Sequence, residues 1–307
     1  MNTVTVFPEF RKFSFDDRSW YEDFYKELPN YADFTFNNLI VWQDQYNDLA
    51  VSRIDSMLIF RCTSLYMENQ LMINFIGHGD YDTALEMIFD YMNKQGQHQV
   101  VLGLPEFIVE QLAYKDRYVI TDDRDNAEYI IDTNLLGGLV GPEMKRMRQL
   151  VNGYERENGS VTIVELDLKD PEQVEFLRSE LFKWEHAFNT NETAGQEKAV
   201  ILRTLEVAGD LDYGNLSLLV DGRLAGFALY RHIPSRDNDT VVVNHLKTNY
   251  SHMHSSYYLT HRLAQALAAK NYRYMNYEQD LGIEGLRTFK QRLKPADLLR
   301  KYNVTSQ

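Results

Sequence analysis

The junction that decides the fold of this chain reads Tyr274-Met275-Asn276-Tyr277-Glu278-Gln279-Asp280-Leu281-Gly282-Ile283-Glu284-Gly285-Leu286-Arg287-Thr288-Phe289-Lys290. Before it, polar and aromatic residues alternate at the period of a β-strand, and after it apolar residues recur at helical spacing. The acidic residues therefore lie on the connection that leaves the carboxyl end of a strand. Because α/β folds usually bind ligands at such connections, we expect the functional site there.

Length and composition bound the class of protein. The chain has 307 residues, of which 44% are hydrophobic and 25% charged, as in a globular protein of two domains. It has no apolar run of the roughly 20 residues that a membrane helix needs, and its first residues lack a secretory signal pattern. The single cysteine, Cys62, cannot form an internal disulfide and excludes a cysteine-rich zinc site. We predict a cytoplasmic protein.

Charge is unevenly distributed. The formal net charge is −13, which works against wrapping the whole protein with nucleic acid or an anionic membrane. Residues 287–301, however, contain six basic residues against one acid. This segment is either a phosphate-binding surface, for instance for tRNA, or a solvated helix face and tail. A second and weaker basic cluster consists of Lys145, Arg146, Arg148 and Arg156.

The order of predicted elements favours two similar α+β units. Gly137-Gly138 is the clearest break in the middle of the chain, so we place a boundary there and predict domains at 1–138 and 139–307. Asp221-Gly222 lies between two apolar runs and predicts a tight hairpin, since both central positions of such a turn need a positive φ. Each half shows a helical opening, an antiparallel meander and a late strand-helix-strand unit. The pattern indicates a duplicated architecture without a repeated sequence.

Two motifs resemble a known family. The first is Leu28-Pro29-Asn30-Tyr31-Ala32-Asp33-Phe34-Thr35-Phe36-Asn37-Asn38-Leu39 with Trp42, and the second is Asn276–Arg287 with Lys290 and Pro295. Both resemble soluble bacterial proteins related to the C-terminal catalytic domain of phosphatidylglycerol lysyltransferases. The resemblance implies an α+β fold of two tandem GCN5-related N-acetyltransferase-like domains, each a mixed, mainly antiparallel sheet flanked by helices. It also implies acyl or aminoacyl transfer in the C-terminal domain, with the N-terminal domain as a degenerate scaffold.

The chain departs from the related enzymes in two places. Acetyl-CoA-binding members carry a glycine-rich loop whose N–H groups hold the pyrophosphate, whereas Asn249–Ser256 contains no glycine. This favours aminoacyl-tRNA or another activated acyl group as the donor, and no separate cofactor is predicted. The membrane-embedded half of the lipid enzymes is also missing, so lysyl transfer to phosphatidylglycerol is in doubt, and a lipid would be a peripheral partner. The alternatives are a coenzyme A-dependent N-acetyltransferase with an atypical loop and a non-catalytic module that binds charged tRNA, a nucleotide or a peptide.

Acyl transfer needs a base for the acceptor, donors for the oxyanion and cations for the donor's phosphates. We assign the first role to Glu278 or Asp280, although Asp280 also fits a helix N-cap. The phosphate-binding residues are predicted to be Arg287, Lys290, Lys294 and Asn276. The first three fall on one helical stripe, which is either a binding surface or simply solvated.

Further candidates lie on the preceding strand and helix. His245 and Lys247 alternate along one strand and should face the same side, although a histidine on a strand is more often structural than a base. The resemblance implies that Tyr257, at the start of the next helix, protonates a leaving group, and its alternative is packing at the rim. His252, His254 and His261 lie close in sequence without a carboxylate or cysteine to complete a ligand set, so we predict no metal site.

Overall fold

The computed structural model describes residues 4–43, 46–64, 70–183, 192–233, 239–249 and 252–307. The chain forms two compact units that are each built from separate segments. Unit 1 comprises Met1–Glu128, Gln279–Ile283 and Leu298–Gln307, and unit 2 comprises Tyr129–Glu278 and Glu284–Asp297.

The secondary structure mixes strands and helices throughout. In chain order the strands are β1 (Arg11–Lys12), β2 (Tyr46–Ile54), β3 (Met57–Ser64), β4 (Gln70–Gly77), β5 (Val100–Pro105), β6 (Tyr118–Asp122), β7 (Glu128–Asp132), β8 (Val161–Val164), β9 (Gly214–Val220), β10 (Arg223–His232), β11 (Thr240–Thr248), β12 (Tyr274–Asn276), β13 (Asp297–Leu299) and β14 (Lys301–Ser306). The α-helices are α1 (Arg18–Tyr25), α2 (Phe36–Val41), α3 (Tyr81–Lys94), α4 (Glu106–Glu110), α5 (Thr133–Gly138), α6 (Lys145–Glu157), α7 (Pro171–Lys183), α8 (Glu192–Val207), α9 (Ser255–Ala269) and α10 (Glu284–Arg292). Within the described ranges, no helix combines the length and apolar character that a membrane crossing requires.

Unit 1 packs helix α3 against its strands. Its sheets have the strand orders β1-β2-β3-β4 and β5-β14-β6. Apolar residues at helical spacing place Leu85 and Ile88 of α3 in the core with Ile59 of β3, Phe75 of β4 and Val101 of β5, all without solvent exposure. Burial of each such side chain stabilises the fold by about 1.5–3 kcal/mol relative to an exposed one.

Unit 2 is organised around one large sheet. The order is β7-β12-β11-β10-β9-β8, with β13 beside β7 at the edge. The β11–β12 pair is parallel, whereas the β7–β12, β10–β11, β9–β10 and β8–β9 pairs are antiparallel. The turn between β9 and β10 has φ angles of 50° at Asp221 and 76° at Gly222, so the predicted hairpin is confirmed.

The two units repeat one arrangement of elements. In unit 1 the antiparallel strands β2, β3 and β4 are followed by α3 and β5, and in unit 2 the antiparallel strands β9, β10 and β11 are followed by α9 and β12. The predicted α+β class, with mainly antiparallel sheets and flanking helices, is therefore confirmed. The duplicated architecture is visible in the order and pairing of the strands.

The Gly137-Gly138 pair, where we placed the domain boundary, lies at the end of a helix. Both glycines end helix α5, and Leu139 follows in a left-handed conformation with a φ of 49°. A Cβ atom at Gly137 would lie 3.1 Å from the backbone nitrogen of Gln265 in α9. The glycine therefore permits close approach of α5 and α9.

Toward the C-terminus, segments of the sequence belong alternately to unit 1 and unit 2. The predicted domains, 1–138 and 139–307, divide the sequence once, whereas residues 279–283 and 298–307 belong to unit 1. Strand β14 lies between β5 and β6 and is antiparallel to both. The division into a scaffold domain, 1–138, and a domain with the transfer site, 139–307, stays a prediction.

Candidate functional site

The candidate site begins where the parallel pair β11–β12 ends. The ladder joins Thr240 to Tyr274 and stops at Val242 and Asn276, whereas the ladder between β10 and β11 continues to Thr248. The chain after β12 then turns away from β11. Residues beyond the carboxyl end of a parallel strand form a common ligand position, so this point is the structural counterpart of the predicted junction.

Glu278 is held at this point by two asparagines. The side-chain oxygen of Asn276, which is fully buried, accepts a hydrogen bond of 2.9 Å from the backbone N–H of Glu278. Asn244, on β11, donates to Glu278 Oε1 at 3.2 Å. Asn276 therefore holds the backbone of Glu278 at the end of β12, and Asn244 holds its carboxylate from the continuing strand β11. Asn244 was not predicted as a site residue; the available signal was an amide directly after the apolar run 241–243.

The backbone of Glu278 adopts an unusual conformation. Its φ is 52°, in the left-handed region that glutamate rarely occupies. Its carbonyl accepts from the Tyr129 N–H at 3.1 Å, and the neighbouring Tyr277 N–H donates to the Tyr129 carbonyl at 2.8 Å. Two backbone hydrogen bonds with Tyr129, one to Tyr277 and one to Glu278, therefore support the turn. Left-handed non-glycine residues that are held in this way are frequent at functional sites.

Lys290 is buried, contrary to the prediction of one exposed basic stripe. Its ammonium donates to the carbonyl of Tyr277 and lies 4.9 Å from the Tyr277 ring centroid and 5.7 Å from that of Tyr129. Arg287 is half-buried, and Lys294 is exposed but lies beyond the end of α10 with a φ of 59°. The three basic residues of the predicted stripe therefore differ in burial. Lys290 supports the backbone next to Glu278, and its predicted role toward phosphate is untested.

His245 and Lys247 point to the same helix, as their alternation predicted. His245 Nε2 lies 2.9 Å from Thr204 Oγ1, and Lys247 Nζ lies 2.5 Å from Glu197 Oε1, both on α8. The Thr204 hydroxyl donates to the Val200 carbonyl, so the imidazole Nε2–H must donate to the threonine oxygen. Burial, assisted by the charge of Lys247, lowers the pKa of His245 to about 3. The imidazole is therefore neutral at physiological pH and is a weak base.

Tyr257 is engaged by the helix that follows the junction. Its hydroxyl accepts a hydrogen bond of 2.6 Å from Arg292 Nη1, and its ring lies 4.8 Å from the Phe289 ring by centroid. Both partners belong to α10. This geometry accounts for packing between α9 and α10, and the predicted role of Tyr257 as a proton donor is untested.

Asp280 lies in unit 1 and has no solvent exposure. Its carboxylate accepts from Arg124 Nη1 at 3.1 Å and from the Gly282 N–H at 3.0 Å, while its carbonyl accepts from the Ile283 N–H. These bonds fix the turn before α10. The helix begins at Glu284, so Asp280 holds the preceding turn and is not the helix N-cap that was predicted as its alternative role. A catalytic role for Asp280 stays a prediction.

The glycine-free loop Asn249–Ser256 is described in part, since residues 250 and 251 lie outside the described residues. His254 precedes α9 with a φ of 68°, and no side-chain hydrogen bond caps this helix within the described residues. Its counterpart in unit 1, α3, is capped by Asp80, whose carboxylate accepts from the Thr83 N–H at 3.1 Å and from its hydroxyl at 2.8 Å. The two equivalent helix ends therefore differ in charge.

Most of the basic residues between 287 and 301 are engaged within their own unit. Besides the contacts of Lys290 and Arg292, Arg300 lies 3.1 Å from Asp122 and 3.7 Å from Glu106. Lys301 is fully buried against Glu128, at 2.6 Å. The local excess of positive charge that the sequence indicates is thus used largely for internal contacts.

The early motif, residues 28–39, contributes to the same buried ion pair in unit 1. Asp33 contacts Lys301 and accepts from Gln279 Nε2 at 2.6 Å, and the Ala32 N–H donates to Glu128 Oε2 at 2.8 Å. Burial raises the pKa of the Glu128 carboxyl, and the Lys301 ammonium opposes that shift. The motif therefore connects the N-terminal segment of unit 1 to its C-terminal segments.

Comparison with known proteins identifies similar chains. The sequence model of the family described as phosphatidylglycerol lysyltransferase, C-terminal, matches residues 25–305. Among curated protein sequences, none matches significantly. A conserved protein of unknown function from Bacteroides thetaiotaomicron shares the fold with a TM-score of 0.82 and 24% identity, over 97% of this chain and 99% of that one.

Two further solved structures are similar in fold. L-PGS from Bacillus licheniformis aligns with a TM-score of 0.55 and 15% identity, over 82% of this chain and 81% of that one. A tandem GNAT protein from the clavulanic acid biosynthesis pathway aligns with a TM-score of 0.51 and 11% identity, over 97% and 98% of the two chains. The predicted tandem fold is confirmed.

Proposed function

Because this chain belongs to the phosphatidylglycerol lysyltransferase C-terminal family, we propose that it transfers an acyl or aminoacyl group to an amine or hydroxyl acceptor at the end of the β11–β12 pair in unit 2. The family and fold support the general class of acyltransferase. The donor and the acceptor are part of the proposal.

The observation that carries the proposal is the placement of Glu278. An amine acceptor must lose a proton to attack the acyl carbonyl, and a carboxylate held at a fixed position can accept that proton. Asn244 and Asn276 fix Glu278 from two elements, and its left-handed backbone directs the side chain to where β11 and β12 separate. We assign the base to Glu278 and not to His245, because the imidazole of His245 is buried against α8 and has a strongly lowered pKa.

An aminoacyl-tRNA is the favoured donor. The stretch Asn249–Ser256 contains no glycine and so lacks the residues that let a backbone loop enclose a pyrophosphate. In such a transfer, the acceptor nitrogen or oxygen bonds to the acyl carbon while the ester bond to the tRNA ribose breaks. The proton passes from the acceptor to Glu278 and then from Glu278 to the ribose oxygen, which leaves as a hydroxyl and returns the carboxylate.

One observation favours coenzyme A as a second candidate donor. The first turn of α9 has no side-chain cap within the described residues, and the amide groups of such a turn attract phosphate. In unit 1, the carboxylate of Asp80 already occupies the equivalent end of α3 and would repel an anion. This difference supports unit 2 as the active unit and unit 1 as a scaffold.

The test is transfer of a labelled acyl group by the purified chain. One arm supplies a labelled aminoacyl-tRNA pool and the other labelled acetyl-CoA, each with primary amines or with vesicles that contain phosphatidylglycerol. We expect Glu278→Gln to lower the single-turnover rate about 100-fold or more, as loss of a general base does. Glu284→Gln is the matched control, because Glu284 is exposed at the start of α10.

Each outcome has a defined meaning. Turnover from tRNA alone supports the aminoacyl donor, and turnover from acetyl-CoA alone supports the second candidate. If Glu278→Gln and Glu284→Gln transfer equally well, the base is another group. Absence of turnover with both donors would leave a binding module that keeps the fold. A cytoplasmic location and a peripheral lipid partner stay predictions.

A further inference from the structure

Helix α6 presents a basic face that the proposed transfer does not use. Lys145, Arg148, Gln149, Asn152 and Arg156 line a shallow depression of about 320 Å³. Their spacing of three, four, seven and eleven residues from Lys145 places them on one side of the helix. The opposite side is buried through Met147, Leu150, Val151, Gly153 and Tyr154. Because the apolar side of α6 packs against the protein, the basic side faces solvent.

The charges at the two ends of this face are available for a ligand. Lys145 and Arg156 are exposed, and neither forms an ion pair within the described residues. This differs from Lys290 and Lys301, which are buried in internal contacts. The weaker basic cluster of the sequence is therefore the more accessible one in the structure.

The middle of the face is held in place before any ligand arrives. Arg148 Nη1 donates to the carbonyl of Leu139 and, at 2.8 Å, to that of Gly141. These bonds fix the guanidinium against the segment that follows α5 and use one of its nitrogen atoms. Arginine presents five N–H donors in a planar arrangement that matches phosphate oxygens. Gln149 and Asn152 are exposed beside it and add neutral amide donors.

We propose that the α6 face binds a compact soluble ligand that carries at least two phosphate groups. Eleven residues separate Lys145 from Arg156, which is about 16 Å along a helix axis, so a ligand with two or more phosphate groups matches the two charges better than a single phosphate does. The volume of about 320 Å³ suits a small ligand.

Acidic residues limit the length of the ligand. Glu143, Glu155 and Glu157 are exposed on or next to α6, and the chain carries a net charge of −13. Because like charges repel, a long polyanion that extends past the depression would meet these carboxylates. A short chain of phosphates avoids them, which favours a nucleoside polyphosphate or a short polyphosphate over a nucleic acid or an anionic membrane.

The experiment is calorimetric titration of the full chain with inorganic tripolyphosphate as the probe. We expect binding that weakens with salt, and we expect the double variant Lys145→Ala, Arg156→Ala to weaken it about tenfold or more. The matched control is Lys115→Ala, Arg223→Ala, which removes two exposed charges elsewhere. Parallel arms use a single-stranded oligonucleotide and vesicles of anionic phospholipid.

Binding of tripolyphosphate that the double variant loses and the control keeps would support the site. No binding to the unchanged chain, or equal binding by both variants, would overturn it. Tighter binding of the oligonucleotide or the vesicles, lost in the same double variant, would overturn the choice of a compact ligand. None of these outcomes depends on acyl transfer, so this proposal and the proposed function can fail separately.

Discussion

Protonation of His245 should make the stability of unit 2 depend on pH in a way that one substitution removes. The side chain is buried on β11, and its Nε2–H donates to Thr204. The charged form would lose hydration without gaining an acidic partner among the described residues, and Lys247 adds a like charge nearby. Replacing the histidine by asparagine removes the titrating group and keeps a short amide.

The magnitude follows from the difference in proton binding between the folded and unfolded states. The pKa of His245 is about 3 in the folded chain against an ordinary value of 6.5. Stability from this group is present above the unfolded pKa and is lost as the pH falls below it. At about pH 5 the unfolded chain is protonated and the folded chain is not, so the free energy of unfolding falls by about 2 kcal/mol relative to pH 7. This figure hardly changes if the folded pKa is one unit higher.

The measurement is urea unfolding by circular dichroism at pH 7 and pH 5. We expect the unchanged chain to lose about 2 kcal/mol more than His245→Asn over this interval, whatever other groups contribute to both. His98→Asn is the control, because His98 is exposed and should leave the pH dependence as it is. An equal loss in the unchanged chain and in His245→Asn would refute the reasoning.

Two substitutions test the packing of the separate units. Gly137→Ala should destabilise unit 2 by about 1–3 kcal/mol, because the new methyl group would press on the backbone of Gln265. Gly285→Ala is the control, since a Cβ atom there meets nothing within 4 Å. Equal melting temperatures of the two variants in thermal unfolding would show that the contact with Gln265 is unimportant. Lys301→Met should cost unit 1 about 3–5 kcal/mol by leaving the buried carboxylate of Glu128 unpaired. Adding Glu128→Gln should restore part of this loss in urea unfolding, and no recovery would argue against an uncompensated charge as its cause.

Local signals in the sequence predicted the elements whose structure is determined locally. The Asp221-Gly222 turn requires two positive φ angles, and few dipeptides supply them. Helix α3 carries two local signals of this kind, an N-cap at Asp80 and buried apolar residues at helical spacing. The placement of Glu278 directly after a strand also followed, since the period of the pattern changes there.

Features that depend on distant partners were not predictable in the same way. Gly137 has the local appearance of a breaker, and only the closeness of α9 shows why a glycine stands within a helix. Lys290 shares a helical stripe with Arg287. Its ammonium is nevertheless buried, because the rings of Tyr277 and Tyr129 lie over it. A stripe describes one helix, whereas burial depends on the elements packed against it.

Strand β14 has a consequence for the order in which this protein folds. It occupies the middle of the β5-β14-β6 sheet, so β5 and β6 have no direct pairing with each other and meet only through residues 301–306. A ribosome makes those residues after all of unit 2. During synthesis, unit 1 therefore cannot complete its β5-β14-β6 sheet before residues 301–306 have been made. The unit whose synthesis begins first thus contains the sheet whose last strand is made after unit 2.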